Sequence, residues 1–334
     1  MSRAQLTSTV EQNTGGAVSP YVAGKNRIIN GAMDWWQRGT TASPGAATGY
    51  FAADRWYTTP TAAAYTLAQE TSNVPLGFQY ALKTTAVSGT GVWFLQFIES
   101  QNCQDLAGKT VTLSAYCSTS ASQSVDLVVY YNTTFGAVSG TSGWTAVSTT
   151  TVSTTAAMPT TPQSGQFAIP STAKALYVLI KSTGNLSSSA TMTFTGVQLE
   201  IGSVATPFSR AGGTLSGELE ACLRYYERRT AQGANYGFGL VGRFGNSTSG
   251  TLGVTFAVPK RTNPSIAFSS MSVYNGGTGL TVNSINGPYG SGQSNGVIAA
   301  DVGFQVSSGG TAGFAATAED GGGGTGYIEF SAEL

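Results

Sequence analysis

Along most of the chain, apolar side chains fall at every second position in short runs, and Gly, Ser, Thr and Asn separate the runs. A period of two places successive side chains on opposite faces of a strand. Over residues 110–117, Val111, Leu113, Ala115 and Cys117 take one face while Thr110, Thr112 and Ser114 take the other. Residues 124–131 repeat the pattern with Val125, Leu127, Val129 and Tyr131 inward, and residues 176–180 are apolar on both faces, as in a central strand. Over residues 191–201, Met192 and Phe194 share one parity and Val197, Leu199 and Ile201 the other, so the phase slips at Gly196 and predicts a β-bulge. Alternation returns in Leu252, Val254, Phe256 and Val258, in Ile298, Ala300, Val302, Phe304 and Val306, and in Ile328, Phe330, Ala332 and Leu334. Many short strands with turn signals between them predict an all-β protein, with one sandwich or jelly roll over residues 25–210 and a second, C-terminal β-sandwich over residues 234–334.

One segment has a different period. Leu215, Leu219, Cys222 and Tyr226 form a stripe with steps of four and three, so residues 216–229 read as a helix within a linker covering 211–233. Ser216 caps its start, Glu218 and Glu220 sit in the first turn, Arg224, Arg228 and Arg229 lie toward its end, and Gly233 stops it. The stripe either packs on a sandwich or makes a seam between identical subunits. Residues 1–24 are polar with one aromatic, Tyr21, and read either as a loose tail or as an anchoring arm that becomes ordered on a partner.

Composition narrows the chemistry. Hydrophobic residues make up 41% of the 334, enough for real cores, yet charged residues are only 10% and the formal net charge is zero. Such a surface has no pull on a phosphate backbone, so nucleic acid is not an expected partner. It suits a neutral polar ligand such as a sugar, or close packing against other subunits. Histidine is absent, which removes the commonest general base and metal ligand. Cys103, Cys117 and Cys222 are odd in number and fit no zinc spacing; they read as small buried thiols, with a Cys103–Cys117 disulfide left open. No run reaches the length of a membrane span, and residues 1–20 lack the apolar core of a secretory signal.

No catalytic centre stands out, and the chain is not expected to be an enzyme. Gly140-Thr141-Ser142-Gly143 has the wrong spacing for a nucleophile elbow. Asp301, Glu319, Asp320 and Glu329 are the acids that could supply a glycosidase pair. The run from Gly321 to Gly324 is a turn rather than a phosphate loop, since neither a Lys nor a helix follows it. Asp34, Asp54 and Glu200 could offer oxygens to a structural calcium ion, though no loop motif specifies one, and no other cofactor is implied. The aromatic residues are the better lead, because sugar rings stack their C–H faces on aromatic faces. All five Trp fall in the first sandwich. Trp35 and Trp36 are adjacent, so on a strand only one can face the core, and Trp144 lies in a polar loop; with Trp56, these are the candidate ligand-binding residues, set against the alternative that large aromatics are core.

Several segments together resemble a family of bacteriophage tail-fibre and receptor-binding proteins. Asn26-Arg27-Ile28-Ile29-Asn30-Gly31-Ala32-Met33-Asp34-Trp35-Trp36-Gln37-Arg38-Gly39 resembles their opening strand, and Ala53-Asp54-Arg55-Trp56 the short motif after it. Gly108-Lys109-Thr110-Val111-Thr112-Leu113-Ser114-Ala115-Tyr116 is similar to a central strand of carbohydrate-binding-module jelly rolls. Val197-Gln198-Leu199-Glu200-Ile201-Gly202, continuing to Thr206-Pro207-Phe208, resembles the closing strand, and Glu218 to Glu227 the helix that follows. The C-terminal half is similar only through residues 258–264. The resemblance implies a jelly roll with a carbohydrate-binding-like fold and trimeric assembly, without establishing sugar binding. The chain is expected to be a virion fibre or adhesin, with an N-terminal arm fixed to tail or baseplate proteins and a host-surface polysaccharide as the ligand. Residence in the virion tail fibre after assembly in the host cytoplasm is expected with it, and lysis is one way out for a chain in which no secretory signal is read. An architectural head-fibre or decoration protein fits the same residues, as does, less well, a polysaccharide depolymerase.

Overall fold

The computed structural model describes residues 24–120, 123–286 and 297–334. The expected anchoring arm over 1–24 lies outside the described residues except for Gly24. The chain divides into two compact units, one running to Ala221 and including Leu334, the other from Cys222 to Glu333.

The first unit is a sandwich of two antiparallel six-stranded sheets. One sheet holds, in spatial order, β1 (Thr41–Gly45), β4 (Tyr65–Glu70), β5 (Ala81–Ala86), β12 (Thr191–Ile201), β7 (Thr110–Thr119) and β10 (Gln163–Ala168). The other holds β2 (Gly49–Tyr50), β3 (Tyr57–Pro60), β6 (Val92–Ile98), β11 (Ala175–Ser182), β8 (Val125–Asn132) and β9 (Thr145–Val152). The alternation read in the sequence lines the core. Val111, Leu113, Ala115, Cys117, Met192, Phe194, Val197 and Leu199 from the first sheet meet Phe94, Val125, Leu127, Val129, Leu176, Val178 and Ile180 from the second. Each large apolar side chain buried here contributes about 1.5–3 kcal/mol. Strand β11 is apolar on both faces, and its outward Tyr177 and Leu179 join Leu95, Phe97 and Val128 in a separate cluster.

Residues 24–38 form no strand, yet they are fastened to the sandwich by buried amides. Asn26 donates to the carbonyls of Val197 and Ser209 and accepts from the amides of Ile28 and Leu199. Gln96, inward on β6, brackets Ile29 by accepting from its amide and donating to its carbonyl. Asn30 donates to the carbonyls of Trp35 and Asp54, and its side-chain oxygen accepts the Trp35 amide. Its own carbonyl accepts the Trp56 indole N–H. The first two of the segments that carry the family resemblance, 26–39 and 53–56, are therefore one interlocked structural unit.

The second unit corrects the expectation of a second sandwich. Six strands, β14 (Gly237–Phe244), β15 (Ser249–Thr255), β19 (Ala299–Val306), β18 (Thr278–Asn286), β17 (Met271–Asn275) and β20 (Ala315–Asp320), pair in that order, and β20 pairs back with β14 to close a barrel. A three-stranded sheet of β13 (Tyr226–Thr230), β21 (Tyr327–Ser331) and β16 (Ser265–Ser269) completes it. Period-two alternation is the same whether a sheet closes on itself or faces another, so the sequence could not separate the two. The Gly321–Gly324 run is a turn, as expected, built around Asp320. The buried Asp320 carboxylate accepts the amides of Gly322, Gly324 and Gly326 at 2.8, 2.7 and 2.7 Å. The Gly324 amide leads these in holding the carboxyl below its ordinary range.

The helix α1 is shorter than expected, Leu215–Leu223. Tyr226, Arg228 and Arg229 belong to β13, paired residue by residue with β21. Strand pairing overrides local helical preference, so the arginines do not complement a helix dipole. Arg228 lies over the Tyr327 ring instead, at 3.6 Å. Among the described residues no helix is long and apolar enough to cross a membrane.

Candidate functional site

The site begins at the β-bulge. Thr195 pairs with Tyr116 and Gln198 with Ser114, so the residues between them in β12 bulge against β7. Gly196 occupies the bulge at φ +61°, and a Cβ there would come within 2.7 Å of the Tyr116 ring and 2.8 Å of the Phe78 ring. Both the backbone conformation and the approach of the rings require glycine. On this outward face of the first sheet, Phe78 packs on Tyr116 at 5.4 Å and on Phe208 at 5.1 Å between centroids.

A cavity of about 290 Å³ opens beside the bulge, lined by Tyr116, Phe208, Pro162 and Pro207 and by the hydroxyl-bearing Ser114, Thr160, Thr161 and Thr206. Its far wall is fixed by polar bonds. The Glu200 carboxylate accepts the Thr206 amide at 2.9 Å, the Thr206 hydroxyl at 2.6 Å and the Gln198 amide nitrogen at 2.8 Å, with Lys25 at 3.3 Å. The Gln198 side-chain oxygen accepts the Ser209 amide at 2.8 Å. Burial raises the Tyr116 hydroxyl above its ordinary pKa, so it stays protonated and available as a donor. The lining therefore offers apolar ring surface and neutral hydroxyls, with no charged side chain among its residues. That is the chemistry of a neutral, hydroxyl-rich ligand.

The four tryptophans expected as ligand contacts are not gathered into one site. Trp56 is 1% exposed and packs edge-on against Phe194 in the sandwich core, so it has no face for a ligand. Trp36 packs partly against the same core, and its indole donates to the Met33 carbonyl at 2.5 Å. Trp35 is half-buried beside it. Trp144 packs on Phe97 and Tyr177, on the outward face of the second sheet. Of the proposed subunit seam, Leu215 is half exposed on α1 and Leu219 is partly buried, but Cys222 and Tyr226 are fully buried, and Tyr226 is on a strand. The four do not form one exposed stripe.

The candidate calcium ligands are held apart by separate partners. Asp34 takes Arg210 at 2.7 and 3.2 Å, Asp54 takes Gln37 and Arg38, and Glu200 takes the contacts above. No cluster of three metal-ligating side chains occurs among the described residues. The C-terminal acids also fail to converge. Asp301 on β19 and Glu319 on β20 sit on opposite walls of the barrel and share the outward parity, since Ala300, Val302, Ala316 and Ala318 fill its core. Asp320 is used by its turn, and Glu329 accepts the Tyr226 hydroxyl. Cys103, Cys117 and Cys222 are all free and buried, which closes the disulfide alternative.

Tyr116, Phe78 and Phe208 were not singled out from sequence. One signal was present: Tyr116 shares the parity of Thr112 and Ser114, so it is an aromatic on the polar face of its strand. Nothing local marks Phe78 or Phe208, which reach the site from loops.

No family model and no curated protein matches the chain. Solved structures similar to part of it include a CBM4 carbohydrate-binding module, 15% identical over 52% of this chain and 99% of that one, with a TM-score of 0.34. Another is TmCBM61 in complex with β-1,4-galactotriose, 13% identical over 53% and 99%, with a TM-score of 0.33. A third is the enzymatically active domain of bacteriophage CBA120 tailspike protein 4, 12% identical over 55% of this chain but 22% of that one, with a TM-score of 0.35.

Proposed function

We propose that this chain is a bacteriophage tail-fibre-type virion protein, presented as a homotrimer, whose first unit holds a neutral saccharide of the host surface in the cavity beside the Gly196 bulge. The observation that carries the saccharide reading is the cavity lining: half-buried Tyr116 and Phe208 rings, flanked by Ser and Thr hydroxyls, with no charged side chain among them. The phage reading rests on the ordered motifs from Asn26 to Glu227. Weak single sites suffice in a trimer, because linked copies raise the effective concentration at the surface.

The full chain on a glycan array tests this. Binding to neutral oligosaccharides, lost in Phe208→Ala while the fold is retained, supports the reading. Absence of any glycan signal at high protein concentration rejects it in favour of a purely architectural role. Mass measurement in solution tests the trimer.

A further inference from the structure

The barrel carries a second cavity of different chemistry. It measures about 440 Å³ and lies at the β14–β15 hairpin, lined by Arg243, Asn246, Ser249, Thr251 and Gly313 among others. Arg243 and Thr251 are direct cross-strand partners. Arg243 shares the outward parity of Val241, while Leu240 and Phe244 point into the barrel. The Arg243 side chain is exposed and has no hydrogen-bond, ion-pair or ring partner among the described residues. In a chain with only 16 Lys and Arg against 16 Asp and Glu, a solitary guanidinium at a cavity is distinctive.

The hairpin turn is built to hold a second donor in place. The Asn246 side-chain oxygen accepts the amides of Thr248 and Ser249 at 2.8 and 2.9 Å and both their hydroxyls at 3.1 Å. With the oxygen so committed, the amide nitrogen, which has no hydrogen-bond partner among the described residues, keeps two N–H groups to offer. Backbone bonds from Gly310 to Ser247 and from Gly313 to Phe244 pin the turn to the neighbouring loop. At Gly250 a Cβ would meet the Arg243 carbonyl and come within 2.5 Å of the Phe304 ring, so the hairpin crosses too tightly for a side chain there.

We infer that this cavity binds an oxyanion-bearing saccharide, with Arg243 taking the anionic group and Asn246 and Thr251 taking neighbouring hydroxyls. A guanidinium pairs two oxygens of a carboxylate or phosphate in one plane, and donors fixed beforehand lose little freedom on binding. The inference goes beyond the neutral-sugar cavity of the first unit and does not depend on it. Each site is removed by its own substitution.

Saturation-transfer NMR on the full chain tests it with sodium glucuronate, glucose 6-phosphate and glucose as separate probes. Saturation of glucuronate or of glucose 6-phosphate that vanishes in Arg243→Gln supports the assignment, and the anion that responds identifies whether carboxylate or phosphate is read. Arg243→Lys should weaken the signal roughly tenfold, because a point charge replaces the planar fork. Unchanged anion signals in Arg243→Gln, no anion signal at all, or glucose saturating as strongly as the anions in Phe208→Ala, where the first cavity is disabled, would overturn it. Phe208→Ala should leave these signals intact, so the two sites can fail independently.

Discussion

The Tyr116 ring lies across Gly196 so closely that a single added carbon at Gly196 would stand 2.7 Å from it. The bulge, the ring and the cavity beside them are therefore one feature. Gly196→Ala should cost about 1–3 kcal/mol through the strained conformation and the clash, and it should displace Tyr116 from the cavity. Gly184→Ala is the matched control, since a Cβ at Gly184 meets nothing within 4 Å. Thermal melts should show a clear drop for the first and a shift within error for the second.

Asn30 tests whether the family-like motifs are structural. Its side chain satisfies two carbonyls and one amide, is fully buried, and sits at φ +56°. Asn30→Ala orphans the Asp54 carbonyl and the Trp35 amide, while the Trp35 carbonyl keeps the Asp54 amide, and it does so in a conformation that disfavours alanine, so urea unfolding should report a loss of about 2 kcal/mol or more. A loss below about 1 kcal/mol would mean that water replaces the side chain.

Acid should weaken the first unit through Glu70. The Ser72 hydroxyl foremost, then the Ser72 amide, Lys83 and the Asn73 amide, hold its carboxyl down from 4.5 to about 2. A depressed carboxylate stabilises the fold above the unfolded pKa, and that stability is lost as pH falls through the folded one. Between pH 4.5 and pH 2 the wild type should therefore lose about 1 kcal/mol more than Glu70→Gln, after allowing for solvent screening at the end of β4. Parallel pH titrations of unfolding free energy for the two proteins measure the difference.

The thiols should be silent in the native state. Burial pushes Cys103 and Cys117 each up to about 12, so almost no thiolate is present at pH 8. A thiol reagent should titrate three cysteines in denaturant and essentially none without it. Rapid native labelling at any of the three would contradict their burial.

The sequence exposes some of these features and hides others for identifiable reasons. The phase slip at Gly196 was readable because a bulge shifts the parity of every later residue in the strand, from Val197 to Leu199. Tyr116 was readable in principle, as an aromatic on the hydroxyl face of β7. Trp56 is core, because the size of an aromatic side chain reports burial better than contact with ligand. The helix was overextended because Tyr226 continues a helical stripe by spacing alone, while its partner strand lies about a hundred residues away, at Tyr226↔Ser331. Barrel closure depends on β20 returning to β14, a long-range pairing that alternation does not encode.

The central claim is that Tyr116 and Phe208, not the tryptophans, face the ligand. Calorimetric titration of the best neutral oligosaccharide from the array tests it across wild type, Tyr116→Ala, Phe208→Ala and Trp144→Ala. A stacked ring contributes about 1 kcal/mol or more, so the first two variants should each lose roughly fivefold or more in affinity, while Trp144→Ala binds as wild type does. Undiminished binding in Tyr116→Ala and Phe208→Ala, with affinity lost in Trp144→Ala, would contradict it.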